Sequence, residues 1–252
     1  MKWRLLLTGH RDAYTNMAID ESIMIHVGQG ALPPTIRLYG WTPAAVSIGY
    51  FQGLEDEVDL KKCKNHGIDY VRRITGGGAV FHEHEVTYSL SISESSLKIP
   101  QNVLESYMVI CQGIIEGLKE LKINAEFAPL NDILVGGKKI SGSAQTRRNR
   151  TILQHGTILI DTDVEKMFSI LKVPSEKIKD KMIEDVKERV TSIKMALSKD
   201  VSFEDVCIAM AKGFEKSLEI ELENGELTEN EVQLAKEIKR DRYSNPDWNH
   251  RR

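Results

Sequence analysis

The stretch Asn131–Asp161, NDILVGGKKISGSAQTRRNRTILQHGTILID, decides the fold class. Three β-rich runs are punctuated by Gly136-Gly137 and by the polar Arg147-Arg148-Asn149-Arg150. A glycine pair accepts positive φ at both centres of a two-residue turn, the geometry that joins twisted antiparallel strands. Two consecutive hairpins are therefore expected. Successive strand residues face opposite sides, so Lys138 and Lys139 cannot share a role. With Lys138 in water, Lys139 points inward, where an ammonium group keeps its charge only beside an anion. Ser141, Gly142, Ser143 and Ala144 leave space next to it. An exposed strand face is the ordinary alternative for a lone Lys-Lys pair.

Working outward, RRITGGGAVFHEHEVTYSLSI (Arg72–Ile92) sets three glycines between two arginines and an alternating strand. Without Cβ atoms such a loop can bring backbone N–H groups against an anion. Arginine beside it offers a planar fork that fits phosphate oxygens. A flexible turn with two solvated arginines is equally compatible. IDYVRRI reads as the strand entering this loop, VTYSLSI as the strand leaving it, and TIRLYGWTPAAVSIGYFQ as two strands joined across GWTP. Helices are expected from Asn16, capped by Asn16 or Thr15, to His26; from about Asp56 to a left-handed cap at Gly67; and from Gln101 to Lys122. In the last, Leu104, Met108, Cys111, Ile115 and Leu118 recur at helical spacing as a buried stripe. From Asp163 the chain turns mostly helical, with a helix start at Pro174-Ser175 and capping boxes at Ser202/Asp205 and Thr228/Glu231. Strands first and helices last predict an α+β fold: a central mixed or antiparallel sheet flanked by helices, in a single catalytic domain over 1–252.

Composition narrows the function classes. A net charge of -3 gives no global attraction to nucleic acid or to an anionic membrane. No apolar run reaches the roughly 20 residues of a membrane span, and MKWRLLLTGHRD turns polar too soon for a signal peptide. Cys63, Cys111 and Cys207 have neither disulfide nor zinc spacing, which suits a reducing, cytoplasmic setting. Cys111 and Cys207 fall in helical apolar registers and are expected in the core; Cys63, among lysines, is expected at the surface. Walker A, G-x-G-x-x-G, H-E-x-x-H and G-x-S-x-G patterns all fail. Asn131-Asp132 suits a ribose, a magnesium ion or a simple Asx turn. His155, on a strand before Gly156, is more often packed than catalytic. His82 and His84, alternating with glutamates, read as a polar strand edge.

Six segments, MAIDESI, SIGYFQ, RRITGGGAVFH, NDILVGGKKISGSAQT, LQHGTILID and ERVTSI, occur in the order seen in lipoate-protein ligases and octanoyltransferases. The chain resembles that biotin/lipoate ligase superfamily over nearly all its length. The resemblance implies an active site in a cleft of the sheet, ATP and Mg2+ as cofactors, and lipoate as the substrate activated to lipoyl-AMP. It implies acyl transfer to a lysine of a lipoyl carrier domain, as in 2-oxoacid dehydrogenase E2 subunits and the glycine-cleavage H protein. It carries the phosphate and adenylate contacts onto Arg72, Gly76, Gly77, Gly78, Ala79, Val80, Asn131 and Asp132. Asp132 would hold the metal, Lys139 would be the catalytic lysine, and His155, Gly77 and Ser143 would lie against the acyl chain, with AVSIGYF as one apolar wall. Octanoyltransferases of this resemblance use a cysteine shortly before the lysine strand, but NAEFAPLNDILV holds none, so ATP-dependent ligation is the leading expectation. Octanoyl transfer from a carrier protein and a non-catalytic lipoyl-binding module are the alternatives. The longer ligases carry a C-terminal accessory domain, expected here to be absent and to come from a separate subunit.

Overall fold

The computed structural model describes residues 2–172 and 176–251, the side chains of 176–180 excepted. The expected helix start at Pro174-Ser175 lies outside the described residues; that helix is described over Glu176–Arg189. The strands are β1 (Lys2–Arg11), β2 (Thr35–Trp41), β3 (Ala45–Ile48), β4 (Asp69–Arg72), β5 (Val80–His82), β6 (Glu85–Ser93), β7 (Glu126–Ala128), β8 (Asp132–Val135), β9 (Lys138–Arg148), β10 (Thr151–Leu159) and β11 (Glu221–Asn224). Eight form one sheet in the order β11-β1-β2-β6-β10-β9-β8-β7, and β4-β3-β5 form a second. β1 runs parallel to both β11 and β2, whereas every pairing from β2 to β7 is antiparallel. The expected mixed sheet flanked by helices is what the chain forms.

Both expected hairpins form, the first on the glycine pair and the second on the polar tip. Gly136 and Gly137 take φ of 56° and 77°, and Asn149 and Arg150 take 53° and 59°. β2 and β3, by contrast, are joined without pairing: the chain leaves the large sheet after Trp41 and β3 becomes the centre of the small one. β11 adds an edge strand to a region expected to be helical.

The two faces of the large sheet differ. On one, Val86, Tyr88, Leu90 and Ile92 of β6 pack with helices Val103–Glu120 and Phe203–Leu218 in the main apolar core. Burying each large aliphatic side chain there stabilises by roughly 1.5–3 kcal/mol. The buried face of the first helix keeps Cys111, Ile115 and Leu118 of the expected stripe, but Leu104 and Met108 are about half exposed and Ile110 and Ile114 are buried in their place. Gly113, Gly117 and Gly213 turn the helix. A Cβ on Gly213 would sit 2.2 Å from the Gly117 nitrogen, so the two helices meet backbone to backbone. An apolar-residue count cannot see a contact made by glycine.

On the other face, Thr87, Ser89 and Ser91 of β6 are also buried, under helix Ala13–Gly28. That helix starts three residues before the expected Asn16, because Asp12 caps it by accepting from Thr15 N at 2.9 Å. Asn16 is instead buried inside. The Gly67 cap is left-handed as expected, after a helix broken into Leu54–Glu57 and Leu60–His66. Cys63 is 1% exposed, not a surface thiol: it joins Val46, Ile48, Leu54 and Val58 in the core of the small sheet, and burial pushes its pKa up to about 11. The Thr228/Glu231 capping box is reciprocal, and the same Glu231 carboxylate takes a two-pronged ion pair from Arg4. Ser202 caps its helix without the reciprocal bond. Among the described residues no helix is long and apolar enough to cross a membrane.

Candidate functional site

A cavity of about 330 Å³ opens between the two sheets, within the roughly 300–1,000 Å³ of small-molecule sites. β9 and β10 supply one side, with Lys139, Ser141, Ser143 and His155. Ser47 of β3, the glycine loop and His82 of β5 supply the opposite side. Met17, Trp41, Phe81, Leu159, Met167 and Val190 make the apolar wall. Of AVSIGYF only Ser47 reaches the cavity; Val46 and Ile48 point into the small core, and Phe51 is 85% exposed.

Lys139 faces this cavity, as its strand register predicts. Its Nζ lies 2.8 Å from Asp132 Oδ1, an ion pair across the β8–β9 hairpin. Gly142 makes the space: a Cβ there would come 2.8 Å from both Cε and Nζ of Lys139. Asp132 is the anion that this half-exposed lysine meets. Asn131, also on the wall, donates from Nδ2 to the Ser143 carbonyl at 2.5 Å.

Gly77, Gly78, Ala79, Val80, Asn131, Lys139, Ser143 and His155 are brought together on the cavity wall as expected. Arg72 is not. Its guanidinium donates to six carbonyl oxygens, those of Gly49, Tyr50, Gln52, Trp248, Asn249 and Arg251, and so ties helix Pro246–His250 to β4. Arg73 takes the place expected of Arg72. It is buried, and its donors reach Thr75 Oγ1 (3.1 Å), Ser47 O (3.0 Å), Ser47 Oγ (3.1 Å) and the carbonyls of Gly76 and Gly78 (both 2.8 Å). Gly77 adopts φ of 97° between those carbonyls. The glycine bend therefore wraps a guanidinium with its carbonyl groups, and Gly76 serves Arg73 rather than the wall. Among the described residues no carboxylate pairs with Arg73. Burial pulls its pKa down to about 10, so it stays charged at neutral pH.

Two histidines anchor polar chains on the wall. His155 Nε2 lies 2.7 Å from Thr75 Oγ1, and its Nδ1 faces Asp20 Oδ2 at 3.5 Å, too far for a hydrogen bond. Asp20 is engaged by Arg37 Nη1 (2.7 Å), Tyr39 OH (2.8 Å) and Ser89 Oγ (2.8 Å). Burial alone would raise the Asp20 carboxyl; the Arg37 guanidinium, the neighbouring His155 and the Ser89 hydroxyl overcome it and hold the group below its ordinary range. Burial lowers the His155 pKa against the weaker opposing pull of Asp20.

The second chain runs through Ser47 Oγ, 2.7 Å from His82 Nε2, to His82 Nδ1, 2.8 Å from Glu85 Oε1. All three residues are at most 5% exposed. His82 is therefore no polar edge: Trp41 stacks on it, ring centroids 4.0 Å apart. Asp20, Arg73, Ser47 and Glu85 were not among the expected site residues. The available signals were an acid and a serine inside apolar runs, MAIDESI and AAVSIGY. None of the three cysteines lines the cavity; Cys111 lies behind Ser143, its Sγ 3.7 Å from Ser143 Oγ, and burial pushes its thiol up to about 11.

Comparison with known proteins sets this site in context. The chain is 39% identical to an octanoyltransferase LipM of Brevibacillus brevis over 100% of this chain and 99% of that protein. It is 42% identical to one of Kyrpidia tusciae over 99% of each. Among solved structures it is similar to the bi-partite lipoate protein ligase of Thermoplasma acidophilum, with a TM-score of 0.89 and 33% identity, covering 99% of this chain and 96% of that one. The expectation of an ATP-dependent, adenylate-forming ligase is corrected by the first two: chains alike from end to end are octanoyltransferases. ATP, Mg2+ and lipoyl-AMP are withdrawn with it. The Asp132 oxygen expected to hold a metal faces Lys139. The family model for the lipoyl protein ligase A/B catalytic domain matches residues 12–215, and the chain belongs to that family.

Proposed function

We propose that this protein transfers an octanoyl group from the thioester of an acyl carrier protein to a lysine of a lipoyl domain. One observation carries the reading: octanoyltransferases match the whole chain, not merely its motifs. The cavity supports it. An apolar wall suits a saturated acyl chain, and Lys139 at the polar side suits a carbonyl that gains negative charge when attacked. A fixed cation there stabilises the tetrahedral oxyanion more than the ground-state carbonyl, which lowers the barrier. Asp132, 2.8 Å from Lys139 Nζ, holds the ammonium in place at the cavity.

The acceptor class is a lipoyl carrier domain, with 2-oxoacid dehydrogenase E2 domains and the glycine-cleavage H protein as the candidates. The bi-partite ligase of T. acidophilum was solved as part of a system with its E2 lipoyl domain.

The test is purified protein with octanoyl-carrier protein and an unmodified lipoyl domain, ATP absent, read by intact mass. Gain of one octanoyl group on the acceptor lysine is expected. Lys139→Ala should cost about 2.7–4 kcal/mol of barrier, or 100- to 1,000-fold in kcat. Modification that requires free fatty acid and ATP would overturn the reading.

A further inference from the structure

If the donor is a thioester, the acyl group passes to the acceptor either directly or through the protein. The cysteines offer no route, since all three are buried away from the cavity. The structure instead assigns Ser47 as an acyl-carrying nucleophile, with His82 as its general base and Glu85 as the positioning residue. This inference rests on the octanoyl-transfer reading above.

Hydrogen-bond directions settle which atom holds which proton. Thr87 Oγ1 accepts from Trp41 Nε1 at 2.7 Å and therefore donates its own proton to Glu85 Oε1. The Glu85 carboxylate accepts again from His82 Nδ1, which leaves Nε2 as the bare, basic nitrogen of the ring. Arg73 Nη1 donates to Ser47 Oγ, so the serine hydroxyl can only give its proton to His82 Nε2. The result is a hydroxyl aimed at a base that is held by a carboxylate, the relation an activated nucleophile needs. Arg73 Nη1, 3.1 Å from Ser47 Oγ, holds that oxygen in place and eases the loss of its proton to His82. A purely structural clasp between β3 and β6 would not need to stand on the cavity wall, yet Ser47 and His82 both line it.

The chemistry balances in two steps. Ser47 Oγ forms a bond to the thioester carbonyl carbon as its proton moves to His82 Nε2. The C–S bond breaks, and the leaving thiolate takes that proton as free carrier thiol. The neutral amine of the acceptor lysine then attacks the serine ester and gives a proton to His82. The Oγ–C bond breaks, Ser47 recovers its proton from His82, and the product is an amide. No oxidant, metal or nucleotide enters.

Octanoyl-carrier protein is supplied without acceptor, and the protein's intact mass and peptides are measured. One octanoyl group on Ser47 is expected, as an oxygen ester that survives neutral hydroxylamine. Ser47→Ala should remove it and slow transfer by at least about 100-fold. Ser47→Cys should restore an adduct, now hydroxylamine-labile, which separates lost chemistry from lost folding. Glu85→Gln should shift the pH profile of kcat while leaving the adduct on Ser47. Transfer to the acceptor with no adduct on Ser47, or an adduct on Cys111, overturns the inference and leaves octanoyl transfer standing. No transfer from the thioester at all overturns the functional reading itself.

Discussion

On one side of Arg73, Nη1 holds a serine that meets His82 and then Glu85; on the other, Nε holds a threonine that meets His155 and then Asp20. Each chain is a hydroxyl, an imidazole and a carboxylate, and both hydroxyl–imidazole contacts measure 2.7 Å. They part at the last link. Glu85 lies 2.8 Å from His82, whereas Asp20 lies 3.5 Å from His155, drawn off by Arg37, Tyr39 and Ser89. They part again at the first, because Ser47 lines the cavity and Thr75, wholly buried, does not. One carboxylate is shared between a guanidinium and two hydroxyl groups, the other between one hydroxyl and an imidazole. The chain has built both from the same parts.

The sharpest way to break this comparison is to remove each ring in turn. His82→Gln should slow octanoyl transfer by about 100- to 10,000-fold, the reach of a general base, and His155→Gln by less than about tenfold. Equal losses would make the two chains one machine. Next, Asp20→Asn leaves Arg37 charged and buried without a counter-ion, which should cost about 3–5 kcal/mol in urea unfolding. Thr75→Val should cost less, about 1–3 kcal/mol, by leaving Arg73 Nε unpaired in the interior. The smallest effect concerns pH. Folded His155 binds a proton less readily than the unfolded chain, whose histidine titrates near 6.5. The unfolded state therefore holds more protons just below that value, so stability is full above it and declines as pH falls through it. Urea midpoints at about pH 7.5 and 5.5 should show a smaller drop for His155→Gln than for the unaltered protein.

Local chemistry made much of this fold legible. Two adjacent positive-φ residues at 136–137 and 149–150 fixed the hairpins, and Thr228 with Glu231 fixed a helix start. Alternation put Lys139 inward because β9 lies in a sheet whose buried face its own apolar residues mark. The same alternation sends Arg72 and Arg73 to opposite sides, both buried. Which was which depended on where β4 sits in the small sheet and on helix Pro246–His250 far along the chain, neither visible locally. Ser47 and Glu85 were hidden for the same reason: β3 and β6 belong to different sheets, and only His82 brings them together. The missing cysteine before the lysine strand argued for a ligase, but that argument weighed one residue against the likeness of the whole chain.

Arg73 has one more consequence. Its five N–H groups reach neutral oxygens only, so among the described residues its charge meets no carboxylate directly. On the octanoyl-transfer reading, a hydrolysed fatty acid, unlike the uncharged thioester it came from, would bring a direct counter-charge. Stray hydrolysis would then leave its own product lodged where the next donor must enter, a built-in brake on wasteful turnover.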